Sequence, residues 1–474
     1  MTIETILKEH FGFDHFRPGQ AEIIEHVLAG QDVMGILPTG SGKTLCYQLP
    51  GQILGGTTIV IEPLLALMDD QVKRLQAQGE KRVIALTGRL QPQDFAQILS
   101  RLNQYQFIFL SPEMLANPAV YQALSQLNLQ LAVVDEAHCI SQWGPDFRPD
   151  YLKLGDRLHP LKPRSILALT ATAPDSVQKD IVSGLSLTAP FAYIASVDRP
   201  NIFMGVVQVG DKREKYQRLL EMVTAVSGPK IIYFDRKKTA EQVAQQLQND
   251  TGKAAAYYHA ELAAHDRDLI QRQFMSDQLE IICATSAFGM GIDKADVRLV
   301  VHTFVPESLE DYSQAMGRAG RDGQKSLAVI LLGPGDFQRA AGFAQQLPDA
   351  KLVATIFKRP NAYADFDDSQ VNLIQAYIGS GFSQAQVLAQ LASRRIEKQH
   401  SFDAVAKWLQ TSGCRRNVLL QYFDSPLITH DDFCCGVVDE AVMAQLAPVS
   451  SVKKATPTDW SEIFAQIFHS QTAF

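Results

Sequence analysis

The chain has 474 residues, 46% hydrophobic and 20% charged, the composition of a globular protein with apolar material for about three compact units. No run of about twenty apolar residues occurs, which excludes membrane-spanning helices, and the opening MTIETILKEHFGF lacks the apolar stretch and small-residue cleavage site of a secretory signal. Lys+Arg 44 against Asp+Glu 51 gives a net charge of −7, which argues against coating nucleic acid by overall charge, so a polyanion partner must meet a local basic surface.

In chain order, short β-rich apolar runs alternate with helix-patterned segments from about residue 30 to 335, the pattern of parallel sheets covered by helices. Strands are predicted at Val33–Leu37, Thr58–Ile61, Val83–Leu86, Phe107–Leu110, Leu131–Val134, Ile166–Leu169 and Tyr193–Val197. The series restarts with Met204–Val209, Lys230–Phe234, Ala254–Tyr258, Glu280–Ala284, Leu299–Phe304 and Leu327–Leu332. A proline in SVDRPNIFM marks the break between the two series. After about Gly335 the sequence is Ala/Gln/Leu-rich, helix-patterned and without clear strands. The expected fold class is α/β, with two tandem parallel-sheet lobes at 1–200 and 201–337 and a smaller, mostly helical region at 338–474. Within that region SQVNLIQAYIGSGFSQAQVLAQLA reads as two helices around Gly-Ser-Gly, either a packed hairpin or a helix-turn-helix. Cys46, Cys139 and Cys283 stand alone and only Cys414, Cys434 and Cys435 group together, so no disulfide framework is expected and a reduced, cytosolic protein is.

The first strand runs into Pro38-Thr39-Gly40-Ser41-Gly42-Lys43-Thr44 and then a helix, the context of a phosphate loop. Glycines let the backbone N–H groups face phosphate oxygens, Lys43 brings charge to the β- and γ-phosphates, and Thr44 offers a hydroxyl to Mg²⁺. The strict spacing fails at its first position, which is Leu37 rather than Gly. Leu131–Val134 ends in Asp135-Glu136-Ala137-His138, so two carboxylates emerge where open α/β sheets bind ligands. Asp135 is suited to the Mg²⁺ water shell and Glu136 to orienting and deprotonating an attacking water. Far downstream, QAMGRAGRDG carries Arg318 and Arg321, which face the same way if the segment is helical and reach the γ-phosphate only when the lobes close.

These motifs resemble those of superfamily 2 DNA helicases of the RecQ family, without interruption from about residue 10 to 335. The resemblance implies RecA-like lobes, ATP and Mg²⁺ as cofactors, 3′ to 5′ translocation on single-stranded DNA, and duplex unwinding in DNA repair or recombination. FGFDHFRPGQ resembles the adenine-recognition segment, implying Arg17 and Gln20 as base contacts, while VIEPLLALMDDQV and FLSPEML, with Pro63, Ser111 and Pro112, look like strand-contacting motifs. DEAHCISQWGPDFRPDY is the most discriminating piece: Trp143 and Phe147 can stack on unpaired bases, and Arg148 can contact a phosphate or pair back towards the nucleotide site. ALTATA implies Thr170 and Thr172 as coupling hydroxyls. ATSAFGMGIDKADVRLVVH implies Thr285, Gly289, Gly291 and Asp293 in joining the DNA track to the nucleotide, and His138 and Gln314 join the same coupling set.

After the motor, CRRNVLLQYF at 414–423 matches the first half of the family's zinc-binding hairpin, but Val438 and Ala441 stand where further cysteines belong. Cys414, Cys434, Cys435 and His430 are the remaining donors, adjacent cysteines strain a tetrahedral site, and a metal-free hairpin is expected. Too few residues follow for a winged helix plus a further domain, as in the short bacterial RecS-like form, so the segment at about 365–400 is a substitute for part of the strand-separating role. The implied partners are single-stranded and tailed or forked DNA, with a single-strand-binding protein as a protein partner, for a monomeric, cytoplasmic, nucleoid-associated bacterial enzyme. The acidic balance places basic contacts along the interlobe track and around Cys414-Arg415-Arg416. Two other readings use the same motifs: a superfamily 2 translocase or RNA remodeller that does not unwind DNA, and a non-catalytic nucleic-acid scaffold, against which intact Lys43, Asp135, Glu136 and Arg321 speak.

Overall fold

Short, β-branched-rich runs with no polar alternation can be satisfied only when both faces of a strand are covered, and that is how the central strands are used. The computed structural model describes residues 2–446 except 143–147, 290–291, 293, 345–346, 364–365, 428 and 430; Trp143, Phe147, Gly291, Asp293 and His430 therefore lie outside the described residues. The first lobe contains β1 (Val33–Ile36), β2 (Thr57–Ile61), β3 (Val83–Leu86), β4 (Phe107–Leu110), β5 (Leu129–Val134), β6 (Ser165–Thr170) and β7 (Phe191–Ile194). Their order across the sheet is β3-β4-β2-β5-β6-β1-β7, all parallel. The second lobe contains β8 (Ile202–Gln208), β9 (Lys230–Tyr233), β10 (Ala255–Tyr258), β11 (Ile281–Ala284), β12 (Leu299–His302), β13 (Ser326–Leu332) and β14 (Cys435–Gly436), in the order β10-β11-β9-β12-β13-β8-β14. Counted from its own first strand, each sheet has the same plan.

The last strand of the first lobe starts at Phe191, not Tyr193, because Phe191 N already donates to Asp32 O at 2.9 Å and pairs opposite Val33. It lies at the sheet edge, with alternate residues more exposed, and ends before Ser196. The helical region is also not free of strands: Cys435–Gly436 pairs with Met204–Gly205 and supplies the seventh strand of the second sheet. The Gly-Ser-Gly segment is a helical hairpin of Ser369–Gly379 and Gln384–Gln410, the second helix opened by a Ser383/Gln386 capping box.

Parallel pairing puts the C-terminal ends of β1, β2, β5 and β6 at one edge of the first sheet. It thereby gathers the phosphate loop, Glu62, Asp135 and Thr170 from four distant stretches of sequence. The core beneath them is tightly apolar, with Ile36, Ile59, Ile61, Ile108, Leu110, Ala132, Val134 and Ile166 nearly or wholly buried on one face.

Candidate nucleotide site between the lobes

The segment between β1 and the helix Leu45–Leu54 curls through Gly40 and Gly42, at φ +85° and +81°. At Gly42 a Cβ would lie 2.7 Å from Gln20 Nε2, so the close approach of the upstream segment requires glycine as much as the turn does. Gln20 Nε2 donates to Ser41 O at 2.9 Å and Gly42 O at 3.0 Å, its Oε1 accepts from Arg17 N at 2.9 Å, and the Arg17 guanidinium donates to Gly40 O. Arg17 and Gln20 are thus built onto the phosphate loop. On the other side Gln71 Nε2 lies 3.5 Å from Thr44 Oγ1.

Asp135 follows β5, its N–H donating to Ile61 O at 3.0 Å, and Ala137 N ties the acidic turn to Leu169 O at 2.8 Å. Glu136 has φ +48°, a left-handed conformation that turns the chain sharply at the second carboxylate. Burial, then the neighbouring Glu136 charge, pushes the Asp135 carboxyl up to about 6, with Lys43 opposing. Glu62, at the end of β2 and 1% exposed, is raised well above the usual carboxylate range by burial and by Asp135 and Glu136, and its Oε1 has no hydrogen-bond partner among the described residues. Sequence reading missed Glu62. Its signal was a carboxylate closing an apolar strand just before Pro63, a pattern that a solvated strand end shares. Glu62, Asp135 and Glu136 form an acidic pocket whose mutual repulsion is opposed by Lys43 and, at Glu62, also by Arg148, a donor set that fits Mg²⁺.

His138 is buried and burial lowers its pKa, so it is neutral. Its Nε2 lies 3.3 Å from Gln314 Nε2, and its Nδ1 lies 2.9 Å from Thr170 Oγ1 and 3.4 Å from Glu136 Oε2. An amide N–H can only donate, so Nε2 accepts and the ring proton sits on Nδ1, facing Thr170 and Glu136. Thr170 Oγ1 in turn donates to Thr172 O at 3.3 Å. A chain of hydrogen bonds therefore runs from Gln314 of the second lobe through His138 to Thr170 on β6 of the first, passing within 3.4 Å of Glu136 Oε2.

Arg318 and Arg321 do not share a helical face. The helix Leu309–Met316 ends at Gly317, and Gly320 takes φ +53°, where a Cβ would lie 2.4 Å from Asn201 Nδ2. Arg199, in the segment joining the lobes, holds this turn by donating to Gly317 O, Ala319 O and Gly320 O at 2.8–3.0 Å, a role the sequence did not disclose. Arg318 is buried and donates to Gly289 O, whereas Arg321 donates to Ile292 O at 2.7 Å. The aliphatic part of Arg321 lies over the phosphate loop, with Cδ 3.3 Å from where a Cβ of Gly40 would be. Arg321, of the two, therefore meets the nucleotide site across the cleft. Thr285 follows β11, with its N–H on Tyr258 O at 3.1 Å.

Arg148 does not turn towards the nucleotide. Its Nε donates to Glu113 Oε1 at 2.6 Å and its Nη1 to Pro63 O, joining the base of the 143–147 segment to two of the predicted strand-contacting motifs. Burial opposes ionisation of Glu113, but Arg148 outweighs it and holds that carboxyl below its usual range. Arg416, expected among basic contacts, is fully buried: it pairs with Asp198 Oδ1 at 2.7 Å and donates to the carbonyls of Arg199, Ile202 and Cys434. A guanidinium so enclosed braces the hairpin to the start of the second lobe and is not a surface for DNA.

The three cysteines converge. Cys414 Sγ, Cys434 Sγ and Cys435 Sγ form a triangle with sides of 3.6, 3.7 and 3.7 Å, and Arg416 Nε donates to Cys434 Sγ at 3.3 Å. Zinc–sulfur bonds of about 2.3 Å place tetrahedral sulfurs about 3.8 Å apart. The three sulfurs meet because Cys434 and Cys435 sit where the chain enters β14 and both reach Cys414 at the start of the helix Arg415–Tyr422.

Two parallel-sheet lobes with a phosphate loop and acidic turn on one and an arginine laid across the cleft from the other define a nucleotide-driven motor of the helicase class. Residues 17–181 match the DEAD/DEAH box helicase family and residues 214–323 the helicase conserved C-terminal domain. The chain is 37% identical to the probable ATP-dependent DNA helicase RecS of Bacillus subtilis, over 99% of this chain and 98% of that protein. It is 36% identical to the ATP-dependent DNA helicase RecQ of Haemophilus influenzae, over 89% of this chain but 61% of that longer protein. In fold it is similar to the DEAD-box helicase Mss116 bound to ssRNA and UDP-BeF, with TM-score 0.59 and 18% identity over 88% of this chain and 97% of that one. A second similar fold is the Mycobacterium smegmatis helicase Lhr bound to ssDNA and AMP-PNP, with TM-score 0.56 and 20% identity over 85% and 57%. The chain belongs to the RecQ family of superfamily 2 helicases, in its short, RecS-like form. No helix among the described residues is long and apolar enough to cross a membrane.

Proposed function

We propose that this protein is an ATP-dependent DNA helicase that moves 3′ to 5′ on single-stranded DNA and opens duplexes in DNA repair or recombination. The observation that carries the reading is the stem of Arg321 of one lobe lying over Gly40 of the other lobe's phosphate loop, whose Lys43 charge acts on the buried Asp135. Arg17 and Gln20 face the adenine end, Lys43 and the loop N–H groups take the phosphates, and Thr44 and Asp135 would hold Mg²⁺, which draws charge from the β- and γ-phosphate oxygens. Glu136 aligns the attacking water and takes its proton. Charge building on the transferring phosphoryl group is then met by Arg321, so hydrolysis requires the lobes to be closed. The relay from Gln314 through His138 to Thr170 and Glu136 reports lobe position to the base that handles that water. The aromatic segment around Trp143 and Phe147, next along the chain, supplies the strand-sensing contacts, with Thr285 and Asp293 on the second lobe.

Hydrolysis should be stimulated several-fold by single-stranded DNA and little by RNA, and a 3′-tailed duplex should be opened while blunt and 5′-tailed duplexes are not. Phosphate release and strand displacement measure the two; stimulation by RNA alone would transfer the protein to the RNA-remodelling class. The cysteine triangle supports a zinc ion on three thiolates as a cross-link between the hairpin and β14, with a fourth ligand other than Val438 or Ala441. Purified protein should carry about one zinc per chain, lost in Cys414→Ser. Elemental analysis that found none in folded protein would overturn the zinc site and leave the hairpin metal-free.

A further inference from the structure

The helix Gln384–Gln410 has 27 residues and so is about 40 Å long at 1.5 Å per residue. One end is rooted in the second lobe. Val405, Trp408 and Leu409 are part of its core, and the Trp408 ring lies 4.6 Å from that of Tyr312, on the helix that carries Gln314 and leads to the arginines. The other end, with the hairpin turn, rests on the first lobe. Lys153 Nζ donates to Ser380 O and sits 4.6 Å above the Phe382 ring, and Ser380 Oγ donates to Asp150 Oδ2 at 3.3 Å. Asp150 is fixed by Arg157 at 2.7 Å, and Leu152 packs on the hairpin's own core of Ile374, Tyr377, Val387 and neighbours.

The place of this contact gives it meaning. Pro149–Lys153 is a single 3₁₀ turn directly downstream of 143–148, the stretch assigned above to sensing DNA. Upstream of that turn, Arg148 is fastened to Pro63 O and Glu113 inside the first lobe. The segment's exit is therefore held from two sides, by its own lobe at Arg148 and by the helical region at 150–153. A rigid rod links this exit to the helix of Gln314, bypassing the nucleotide.

We infer that the hairpin turn is a brace between the DNA-sensing segment and the second lobe, with Lys153 and Phe382 as positioning residues that let bound DNA influence lobe closure. This rests on the helicase reading and adds to it a function for the hairpin other than a helix-turn-helix or a strand-separating wedge. The contact joins few groups, mostly polar and half-exposed, so it can be broken without unfolding either side.

The test uses Lys153→Ala, Phe382→Ala and Lys153→Arg in the full chain. In DNA-free protein, amide hydrogen exchange in 149–158 and 379–383 should speed up in both alanine variants and return to wild type in Lys153→Arg, which keeps the cation over the ring. ATP hydrolysis without DNA should be unchanged, single-stranded DNA binding by anisotropy should stay close to wild type, and DNA stimulation should fall by about five-fold or more. Unchanged exchange in both alanine variants would overturn the brace whatever the DNA does. Faster exchange with full stimulation would overturn its positioning role. Absence of stimulation in the wild type would instead count against the helicase reading, with exchange still deciding the brace.

Discussion

Lys43→Ala will lower ATP hydrolysis by on the order of 10³-fold, because it removes both a phosphate contact and the positive charge that lets the acidic pocket ionise. Asp135 titrates at about 6 through burial and the Glu136 charge, with Lys43 working in the opposite direction. Only the deprotonated carboxylate serves Mg²⁺, so activity should fall as pH drops through about 6 in the wild type. Without Lys43 the Asp135 carboxyl moves further up, and residual hydrolysis should shift its acid limb to higher pH. A pH profile of phosphate release at saturating Mg²⁺ and ATP checks both parts. An unshifted acid limb in the variant would show that Lys43 contributes contact alone. The fold should survive, since Lys43 is half-exposed and lies outside the apolar core.

Arg321→Ala should lower single-turnover hydrolysis by about 10³-fold while nucleotide binding changes only a few-fold, as befits a charge needed mainly in the transition state. Arg321→Lys should recover little, because an ammonium cannot reproduce the guanidinium fork. Arg318→Ala should behave differently. Arg318 is buried against Gly289, and burial together with its charge pushes His302 down to about 3. Its loss should loosen the 285–289 segment and weaken DNA-dependent steps more than hydrolysis itself. Rapid-quench hydrolysis with a binding titration separates the two, and a larger hydrolytic defect in Arg318→Ala would exchange their assignments.

The sheets and the nucleotide site were largely legible because their signals are local. A buried parallel strand is a continuous apolar run, and a phosphate loop or acidic turn occupies a few consecutive residues at its end. What escaped depended on distant pairing. Arg318 and Arg321 look like helix neighbours until Gly317 and Gly320 end the helix and Arg199 holds the turn open. Arg416 looks like a basic surface until Asp198 and three carbonyls enclose it. Glu62 looks like a solvated strand end until Asp135 arrives beside it. Cys434 and Cys435 are neighbours in sequence, and only the fold brings Cys414 Sγ to within 3.6–3.7 Å of both sulfurs.

The last strand of the second sheet, β14, arrives more than two hundred residues after the strand it pairs with, and it carries one of the three cysteine sulfurs and directly follows a second. The lobe is therefore not finished when its own stretch of sequence has been made: during synthesis the edge of β8 stands open until the tail emerges and settles. A cut anywhere between 340 and 433 would bare Phe203, which packs on Phe433, and leave a sticky strand edge, so the motor cannot be trimmed to its two lobes without inviting aggregation. The tail is thus a latecomer that seals the engine.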